Sequence, residues 1–375
     1  MLKRVIEIEG AAGVTLRGLT ITATAPTFLD SYECPSGGDW SIHRGAAVFV
    51  EGSSDITIEG LTWDQVSGNA LMFSNEVTDS VVRKCLFKEV GDSAISMLGS
   101  TQQMVGTTGK GLYPSHNIIE SNVVDVVGVY GKQTSAYFKA KSRANIVRKN
   151  VFMNGPRAGI NFNDGTAGGE VLEMNLVMNF VRESGDHGMF NSWDRQPIVH
   201  DDEAGEVALN PATHQLRKNF IFNKNWLGTT NSGYSVDYDD GSSQYNATEN
   251  FLVYGAFKVR DGINRAHSHN IIYGKPADYQ CDGFNSTSME HNTIIGENNG
   301  AIAYGCVGKA FGAKGSYNSV KQNFNTYFGS SLNACGMDFA KLQAAGYDTD
   351  STLSANISVS EIITLAKAML FRPTP

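Results

Sequence analysis

The segments IVRKNVFM (146–153) and VLEMNLVM (171–178) decide the fold of this chain. Each places apolar residues on both sides of one asparagine, and these asparagines, Asn150 and Asn175, stand 25 residues apart. The shortest spacings in the whole series are 20 to 25 residues and define a repeat unit, while longer spacings indicate inserted loops. Similar segments recur along the chain, and their fixed position is held by Gly18, Gly60, Cys85, Asn122, Asn150, Asn175, Asn219, Asn250, Asn270, Asn292 and Asn323.

A repeat unit this short, rich in apolar residues and ending in Gly or Asn, is typical of one turn of a parallel β-solenoid. We expect the asparagine to adopt left-handed backbone geometry at the bend and its amide to hydrogen-bond from coil to coil. The alternative is a β-sandwich with Asp-Gly hairpins. The Asp-Gly pairs at Asp240, Asp261 and Asp282 start 21 residues apart, which is too long for successive hairpins.

With this coil period and asparagine ladder, the chain resembles the right-handed parallel β-helix proteins of the pectate-lyase type over essentially its whole length. The resemblance implies an all-β fold, a single-stranded right-handed parallel β-helix of about 10–12 coils. We expect one domain over residues 1–375, with coils in 1–355 and a helical cap or tail in 356–375. The segment SEIITLAKAMLF (360–371) has helical periodicity and is expected to cap the open end of the stack.

Composition narrows the possible partners. The chain has 30 basic and 38 acidic residues and a net charge of −8, which disfavours nucleic acid as its main partner. No apolar run is long enough to predict a membrane span. We expect a secreted or extracellular protein, although the first residues already read as a strand and show no signal peptide. The sequence leaves the oligomeric state open.

The five cysteines show no metal-binding spacing, so no zinc site is predicted. Cys281 with Cys306, or Cys306 with Cys335, could form a disulfide, and free thiols are the alternative.

Counting backwards from the ladder predicts a strip of polar side chains on one outward face of the solenoid. Side chains alternate between the two faces of a strand, and neighbouring coils lie about 4.8 Å apart. Outward carboxylates would therefore lie beside outward cations and amides. The predicted strip consists of Tyr137, Lys139, Asn161, Asn163, Asp164, Asp237, Asp239, Asp240, Lys258 and Arg260.

The insertion ESGDHGMFNSWDRQP (183–197) holds the densest group of chemically useful side chains. The coil count places this segment between Asn161 and Asp237, so it is expected to border the strip. Trp193 could stack on a sugar ring, and Arg195 could orient an anionic group. Asp186, His187 and Asp194 complete this set.

A polar strip of this kind favours an extended polysaccharide or oligosaccharide, and the first hypothesis is glycoside hydrolysis. Such enzymes need one carboxylic acid and one carboxylate about 5–9.5 Å apart. Asp237 and Asp239 are the predicted pair, with Asp194 and Asp261 as further candidates and His187 beside them. DYDDGSS (237–243) followed by KVRDG (258–262) resembles segments of β-helix proteins related to glycoside hydrolases.

The second hypothesis is a polysaccharide lyase or uronate epimerase. In it, Asp237, Asp239 and Asp240 would hold Ca²⁺, and Lys258, Arg260 or His187 would remove the proton. The chain lacks the motif stretches of pectate lyases, which disfavours this reading. A hydrolase needs no cofactor or metal. The third hypothesis is a non-catalytic β-helix that binds glycan or has a structural role.

Overall fold

The computed structural model describes residues 1–35, 40–100, 112–163, 168–193, 199–201, 207–209, 213–223, 233–281, 285–308 and 318–373. Within these residues the chain visits three long sheets repeatedly in the same order, and we name them A, B and C. Strands within each sheet pair in parallel, apart from the last antiparallel pair of sheet A. The predicted single-stranded right-handed parallel β-helix is confirmed.

Sheet A carries the face that holds the predicted strip. Its strands are Ile6–Glu9, Val48–Ser54, Leu71–Thr78, Ile95–Leu98, Tyr137–Ala140, Ile160–Phe162, Gly188–Ser192, Tyr234–Tyr238, Phe257–Val259, Ala277–Cys281, Ile302–Gly308, Leu332–Ala334 and Met337–Asp338.

Sheets B and C complete each coil. The strands of sheet B are Thr15–Arg17, Thr57–Glu59, Val81–Arg83, Ile118–Glu120, Ile146–Arg148, Val171–Glu173, His214–Arg217, Tyr245–Thr248, Gly262–Ser268, Asn285–Glu290 and Asn318–Asn323. The strands of sheet C are Thr20–Thr22, Thr62–Asp64, Leu86–Val90, Val123–Val127, Val151–Met153, Leu176–Met178, Phe220–Phe222, Phe251–Val253, Ile271–Tyr273, Thr293–Ile295, Thr326–Phe328 and Thr352–Ser354. Outside these sheets, Val199–Asp201 pairs with Val207–Leu209, and Glu297–Asn299 forms a 3₁₀ turn.

The interior of the coils forms one continuous core that extends from Ile8 to Leu342. Short apolar strands suit this position because alternate side chains point inward and pack on the coils above and below. Aromatic rings fill the later coils, where Phe162 and Phe190 meet edge to face at 5.1 Å.

The asparagine ladder is present at the corner between sheets B and C. Asn150 Nδ2 donates to Asn175 Oδ1 at 3.0 Å, and Asn250 Nδ2 donates to Asn270 Oδ1 at the same distance. The prediction that Asn323 occupies this position is wrong, because Asn292 Nδ2 donates to Asn325 Oδ1. The ladder therefore runs through Asn122, Asn150, Asn175, Asn219, Asn250, Asn270, Asn292 and Asn325.

The left-handed bend lies one residue before the ladder, so the prediction that the asparagine itself adopts it is wrong. Gly18 and Gly60 occupy this bend and not the ladder position, as the register of the following strands shows. In later coils the bend is made by residues other than glycine, with φ of +55° to +58°, and these are Lys84, Ser121, Lys149, Met174, Lys218, Glu249, His269, His291 and Phe324.

Two helices lie near the C-terminus. The helix α1 (Phe339–Ala344) places Leu342 in the core at the end of the solenoid. The helix α2 (Val359–Leu370) packs Ile362, Ala366 and Met369 against the outer face of sheet C. The predicted helix is therefore present, but it covers a side of the stack, and the shorter α1 contributes to the core at the end.

The disulfide left open by the sequence joins Cys306 to Cys335, whose Cα atoms lie 5.4 Å apart. Cys34 and Cys85 are free thiols. Among the described residues, neither helix is long and apolar enough to cross a membrane.

Candidate functional site

One column of polar side chains follows the outer face of sheet A. Asn161 pairs in register with Asn191, Asn191 with Asp237, and Asp237 with Lys258. Four neighbouring strands therefore present these residues side by side. The structure brings together Asn161, Asp237 and Lys258, as the coil count predicts.

The prediction that Tyr137 and Lys139 face outward is wrong. Tyr137 pairs with Ile160 and Lys139 with Phe162, and both side chains are fully buried inside the solenoid. The outward residues of this strand are Phe138 and Ala140, which pack in an apolar cluster on the outer face. Both faces of this strand are buried, so alternation alone does not show which of them is the inner one.

Lys139 belongs instead to a charged group within the core. Its Nζ atom lies 3.9 Å from Glu170 Oε2, and His214 Nδ1 lies 3.1 Å from the same oxygen atom. All three side chains are fully buried. Burial lowers the pKa of His214 despite the neighbouring carboxylate. This group stabilises charge in the interior and takes no part in the outer strip.

Lys258 is the centre of the strip. Its Nζ atom lies 3.2 Å from Asp186 Oδ1, 3.3 Å from Asp237 Oδ2 and 3.4 Å from Asp239 Oδ1. Asp237 and Lys258 are almost completely buried, whereas the Asp186 side chain is 79% exposed. The Lys258 ammonium group thus lies between the carboxylates of Asp237 and Asp239. It also pairs with the carboxylate of Asp186 from the insertion.

The protonation of this group follows from burial and charge. Burial raises the pKa of Asp237 well above its ordinary value, because Lys258 is shared with Asp239 and Asp186 and does not fully compensate for desolvation. Burial alone would lower the pKa of Lys258, but the carboxylates of Asp237, Asp239 and Asp186 raise it above its ordinary value. Lys258 therefore stays charged, and Asp237 is the carboxyl group that most readily keeps a proton.

Arg260 extends the charged group by one position along its strand. Its guanidinium group lies 3.1 Å from Asp239 Oδ1 and 2.9 Å from Asp240 Oδ1. These carboxylates, together with the charge of Asp261, raise the pKa of Arg260 despite its partial burial. Asp239 is therefore held between two cations, Lys258 and Arg260.

His187 borders the strip, as its position in the insertion predicts. Burial and the nearby charge of Arg157 lower its pKa to about 4, with smaller influences from Asp186, Lys258 and Asp239. Its Nδ1 atom is in contact with Ser184 Oγ. His187 is therefore neutral near pH 7.

Several polar atoms along the strip have no hydrogen-bond partner within the described part of the chain. They are the amide nitrogen atom of Asn161, the amide oxygen atom of Asn191 and Oδ1 of Asp237. Asn191 Nδ2 donates to Asn161 Oδ1 at 3.0 Å, which fixes the orientation of the two amides. Because buried polar groups normally have partners, this row of unpaired atoms is suited to a ligand that carries hydroxyl groups.

Sequence reasoning missed three members of this surface. Asn191 lies in the column itself, and a continued register count through the insertion would have found it. Asp278 pairs in register with Lys258, and Tyr234 Oη donates to Asp278 Oδ2 at 3.0 Å. The Tyr234 ring also lies 5.7 Å from Lys258 Nζ.

The remaining predicted residues have different outcomes. Asn163 follows Asn161 on the outer face and is buried, and Trp193 is also buried, with its backbone N–H donating to Phe162 O at 3.0 Å. Three predicted site residues lie outside the described residues, and these are Asp164, Asp194 and Arg195.

The three carboxylates considered for Ca²⁺ do not fit such a site here. The Lys258 ammonium group lies between Asp237 and Asp239, and Arg260 is paired with Asp240. Within the described ranges, no group of three or more His, Cys, Asp or Glu side chains is arranged to hold a metal ion.

No protein-family model matches the chain, and no curated protein matches it.

Proposed function

We propose that this chain is a carbohydrate-active enzyme of the pectate-lyase-like β-helix superfamily, and that it hydrolyses glycosidic bonds at the outer strip of sheet A. The observation that carries the proposal is the shared contact of Asp237 and Asp239 with Lys258 Nζ. Two carboxyl groups with different environments, held side by side on a rigid surface, are what glycoside hydrolysis requires.

The separation of the two carboxyl groups supports this reaction. Each has an oxygen atom within 3.4 Å of Lys258 Nζ. These two oxygen atoms can therefore be no more than about 7 Å apart. This limit allows the carboxyl separation of retaining enzymes, about 5–5.5 Å, and only the shortest separations of inverting enzymes, which begin at about 6.5 Å.

The environments assign a role to each group. Asp237, whose pKa is raised, donates a proton to the glycosidic oxygen atom as the bond to the sugar breaks. Its Oδ1 atom is buried and has no partner among the described residues, so it is the oxygen atom that we assign to this transfer. Asp239, paired with Lys258 and Arg260, acts at the anomeric carbon as nucleophile or as the base for water.

Secretion remains part of the proposal. The Cys306–Cys335 disulfide supports it, because disulfides persist mainly in oxidising compartments.

The test is turnover of three polysaccharides, a neutral xylan, a polygalacturonate and a sulfated galactan. A hydrolase releases new reducing ends without new ultraviolet absorbance. Asp237→Asn and Asp239→Asn are each expected to reduce turnover by about 100-fold or more.

The matched control is Asp64→Asn, which removes another outward aspartate that pairs with a lysine of the next coil, Lys88, on sheet C. This variant should keep full turnover. If Asp239→Asn also keeps full turnover, Asp239 has no catalytic role. A protein that binds these glycans without cleaving them would be the non-catalytic module considered above.

A lyase or epimerase is the second candidate, and His187 is the observation that favours it. Neutral His187 could remove a proton, with Lys258 and Arg157 supplying positive charge for a uronate carboxylate. Lys258 is disfavoured as that base because its raised pKa keeps it protonated. Ultraviolet absorbance from an unsaturated sugar, lost in His187→Gln and kept in Asp239→Asn, would establish this alternative and contradict hydrolysis.

A further inference from the structure

The outer face of sheet A is polar along only part of its length. In the four strands that precede Asn161, the same column holds Phe49, Met72, Ser96 and Phe138. A segment between sheets C and A folds over these strands, and we call it the wall; it consists of Trp40, Ile42, Arg44 and Ala46. The apolar residues of the wall, Trp40, Ile42 and Ala46, form one buried cluster with the apolar residues beneath them.

The wall is fixed firmly at the edge of the polar strip. The Trp40 ring stacks on Phe138 with centroids 5.3 Å apart, and the Arg157 guanidinium group lies 4.9 Å from the Trp40 ring. Arg44 donates to Ser74 Oγ at 2.8 Å and to Gly99 O at 2.8 Å. These specific contacts to the sheet make the wall a boundary of the strip.

The first outward column is buried from Phe138 to Lys258, whereas exposure in the second outward column rises with distance from this boundary. In the second outward column, Ala140 and Asn163 are buried. The Asp239 side chain is 17% exposed and that of Arg260 is 38% exposed. The strip is therefore open at Asp239 and Arg260 and closed at Phe138, three strand spacings or about 14 Å from Asp237.

The closed end holds the unpaired amide atoms. Asn161 Nδ2 can donate and Asn191 Oδ1 can accept, and both atoms are buried without a partner within the described residues. Asn161 lies next to Phe138 in register, directly beside the wall. Unpaired donors and acceptors at a closed end are suited to the hydroxyl groups of a sugar that has no further neighbour in the chain.

We infer that the strip is a blind-ended pocket for the terminus of a glycan chain, and that Asn161 and Asn191 hold its terminal sugar. This inference rests on the proposed function and specifies its substrate. A glycan that lies across Asp237 and Asp239 extends past Arg260 in one direction. In the other direction the wall leaves room for only a short terminal segment of the glycan. The enzyme then releases short products of one fixed size from a chain end.

The experiment follows product length with time on oligosaccharides of defined length prepared from the xylan, the polygalacturonate and the galactan. Each is used with and without a fluorophore at its reducing end. A blind-ended pocket gives one short product from the first time point and a series of substrates shortened stepwise. An open groove gives internal fragments of mixed length.

Two variants test the residues. Asn191→Ser removes the amide acceptor and is expected to raise KM by about tenfold while kcat changes much less, because the reacting carboxylates are untouched. The matched control is Asn246→Ser on the outer face of sheet B, which should leave both constants unchanged. Trp40→Ala opens the wall and should lengthen the products, while Phe28→Ala, in the same segment but outside the wall, should not.

The outcomes are distinguishable. A single short product, with the KM effect confined to Asn191→Ser, supports the inference, and this readout does not depend on whether the Trp40 variant folds. Turnover with mixed internal products from the wild-type protein overturns the inference and leaves the hydrolase proposal standing. No turnover of any of the three glycan classes overturns the proposed function and the inference with it.

Discussion

At the scale of single residues, Lys258 determines the charge balance of the strip. It is the one cation that contacts both Asp237 and Asp239 among the described residues, and it is itself almost fully buried. Removing one partner of a buried charged group is far more costly than replacing the whole group, because it leaves uncompensated charge in a poorly solvated place.

We therefore predict that Lys258→Met lowers the free energy of unfolding by about 3–5 kcal/mol at pH 7. The buried Asp237 would keep a pKa above that of the unfolded chain, and such a group favours the folded state at low pH. The loss should thus be smallest near pH 4 and grow as the pH rises. Urea unfolding at a series of pH values measures this.

Asp237→Asn in the Lys258→Met background is the control for that prediction. The double variant should regain part of the lost stability at pH 7, because the uncompensated carboxylate is gone. A double variant as unstable as Lys258→Met at every pH would show that packing, and not charge, accounts for the loss.

The sequence predicts the outward direction of Asp237, Asp239 and Lys258 because charged residues alternate there with apolar ones. The sequence-based prediction fails at Tyr137 and Lys139. A charged side chain usually faces water, so Lys139 is expected on the outer face, but it lies inside the core. The wall covers the outer side of that strand, and Glu170 receives Lys139 inside the core. Neither partner is near in sequence, so no local pattern could show this.

At the scale of the repeated element, the ladder stabilises the corner between sheets B and C. Asn250 donates to Leu216 O at 2.7 Å and to Asn270 Oδ1 at 3.0 Å, and it accepts from the backbone N–H of Asn219. Every one of these contacts is buried, so the coils above and below depend on the same amide.

We predict that Asn250→Leu lowers the free energy of unfolding by about 3 kcal/mol or more, since several buried polar groups lose their partner at once. Thermal and urea unfolding measure the change. Asn246→Leu is the control. Within the described residues, the side chain of that half-buried asparagine makes one hydrogen bond, to Gln215 Oε1 on the outer face of sheet B, so its loss should cost less than about 1 kcal/mol. Equal losses in both variants would contradict a special role for the ladder.

The bend before the ladder carries strain. Lys149 is exposed and has a φ of +56°, a conformation that disfavours any residue with a Cβ atom. We predict that Lys149→Gly raises the free energy of unfolding by about 0.5–1 kcal/mol, after allowance for the greater freedom of glycine in the unfolded chain.

Lys88→Gly makes the same change in a strand of sheet C at a residue whose own φ is not positive, and should destabilise the protein. If both lysine variants shift stability in the same direction, the left-handed bend is not the cause.

The repeat could be predicted from the sequence because its period and its asparagines are local signals. Its register could not be fixed to one residue. In the first coils the conspicuous residue is the glycine of the bend, Gly18 or Gly60. In later coils it is the asparagine one position after the bend. Aligning the glycines with the asparagines therefore displaces the early segments by one residue. At Asn323 and Asn325 two asparagines compete, and only the pairing of Thr326 with Thr293 selects the second.

At the scale of the whole molecule, the solenoid brings together groups that lie far apart in the chain. The fold and its approximate number of coils follow from the period, whereas the wall does not, because Trp40 reaches Phe138 across nearly a hundred residues of sequence. The sequence thus predicts the polar strip but not the wall, which depends on the way one insertion packs.

The same closed interior keeps histidines neutral. Burial lowers the pKa of His267 to about 3, and its Nδ1–H donates to Ser288 O at 2.9 Å. In the unfolded chain this histidine takes up a proton near pH 6.5. The folded state therefore binds fewer protons, so the contribution of His267 to stability is full at higher pH and decreases as the pH falls below about 6.5.

We predict that His267→Asn is destabilising at pH 7, because the smaller side chain leaves a void beside Phe257, and that its deficit relative to the wild-type protein shrinks by about 2 kcal/mol between pH 7 and pH 5. Other titrating groups are common to both proteins and cancel in this difference, which urea unfolding at the two pH values measures. His269→Asn removes an exposed histidine of the same coil and is the control variant, measured at the same two pH values. A His267→Asn deficit that stays constant from pH 7 to pH 5 would mean that the wild-type histidine is already accessible to protons in the folded solenoid.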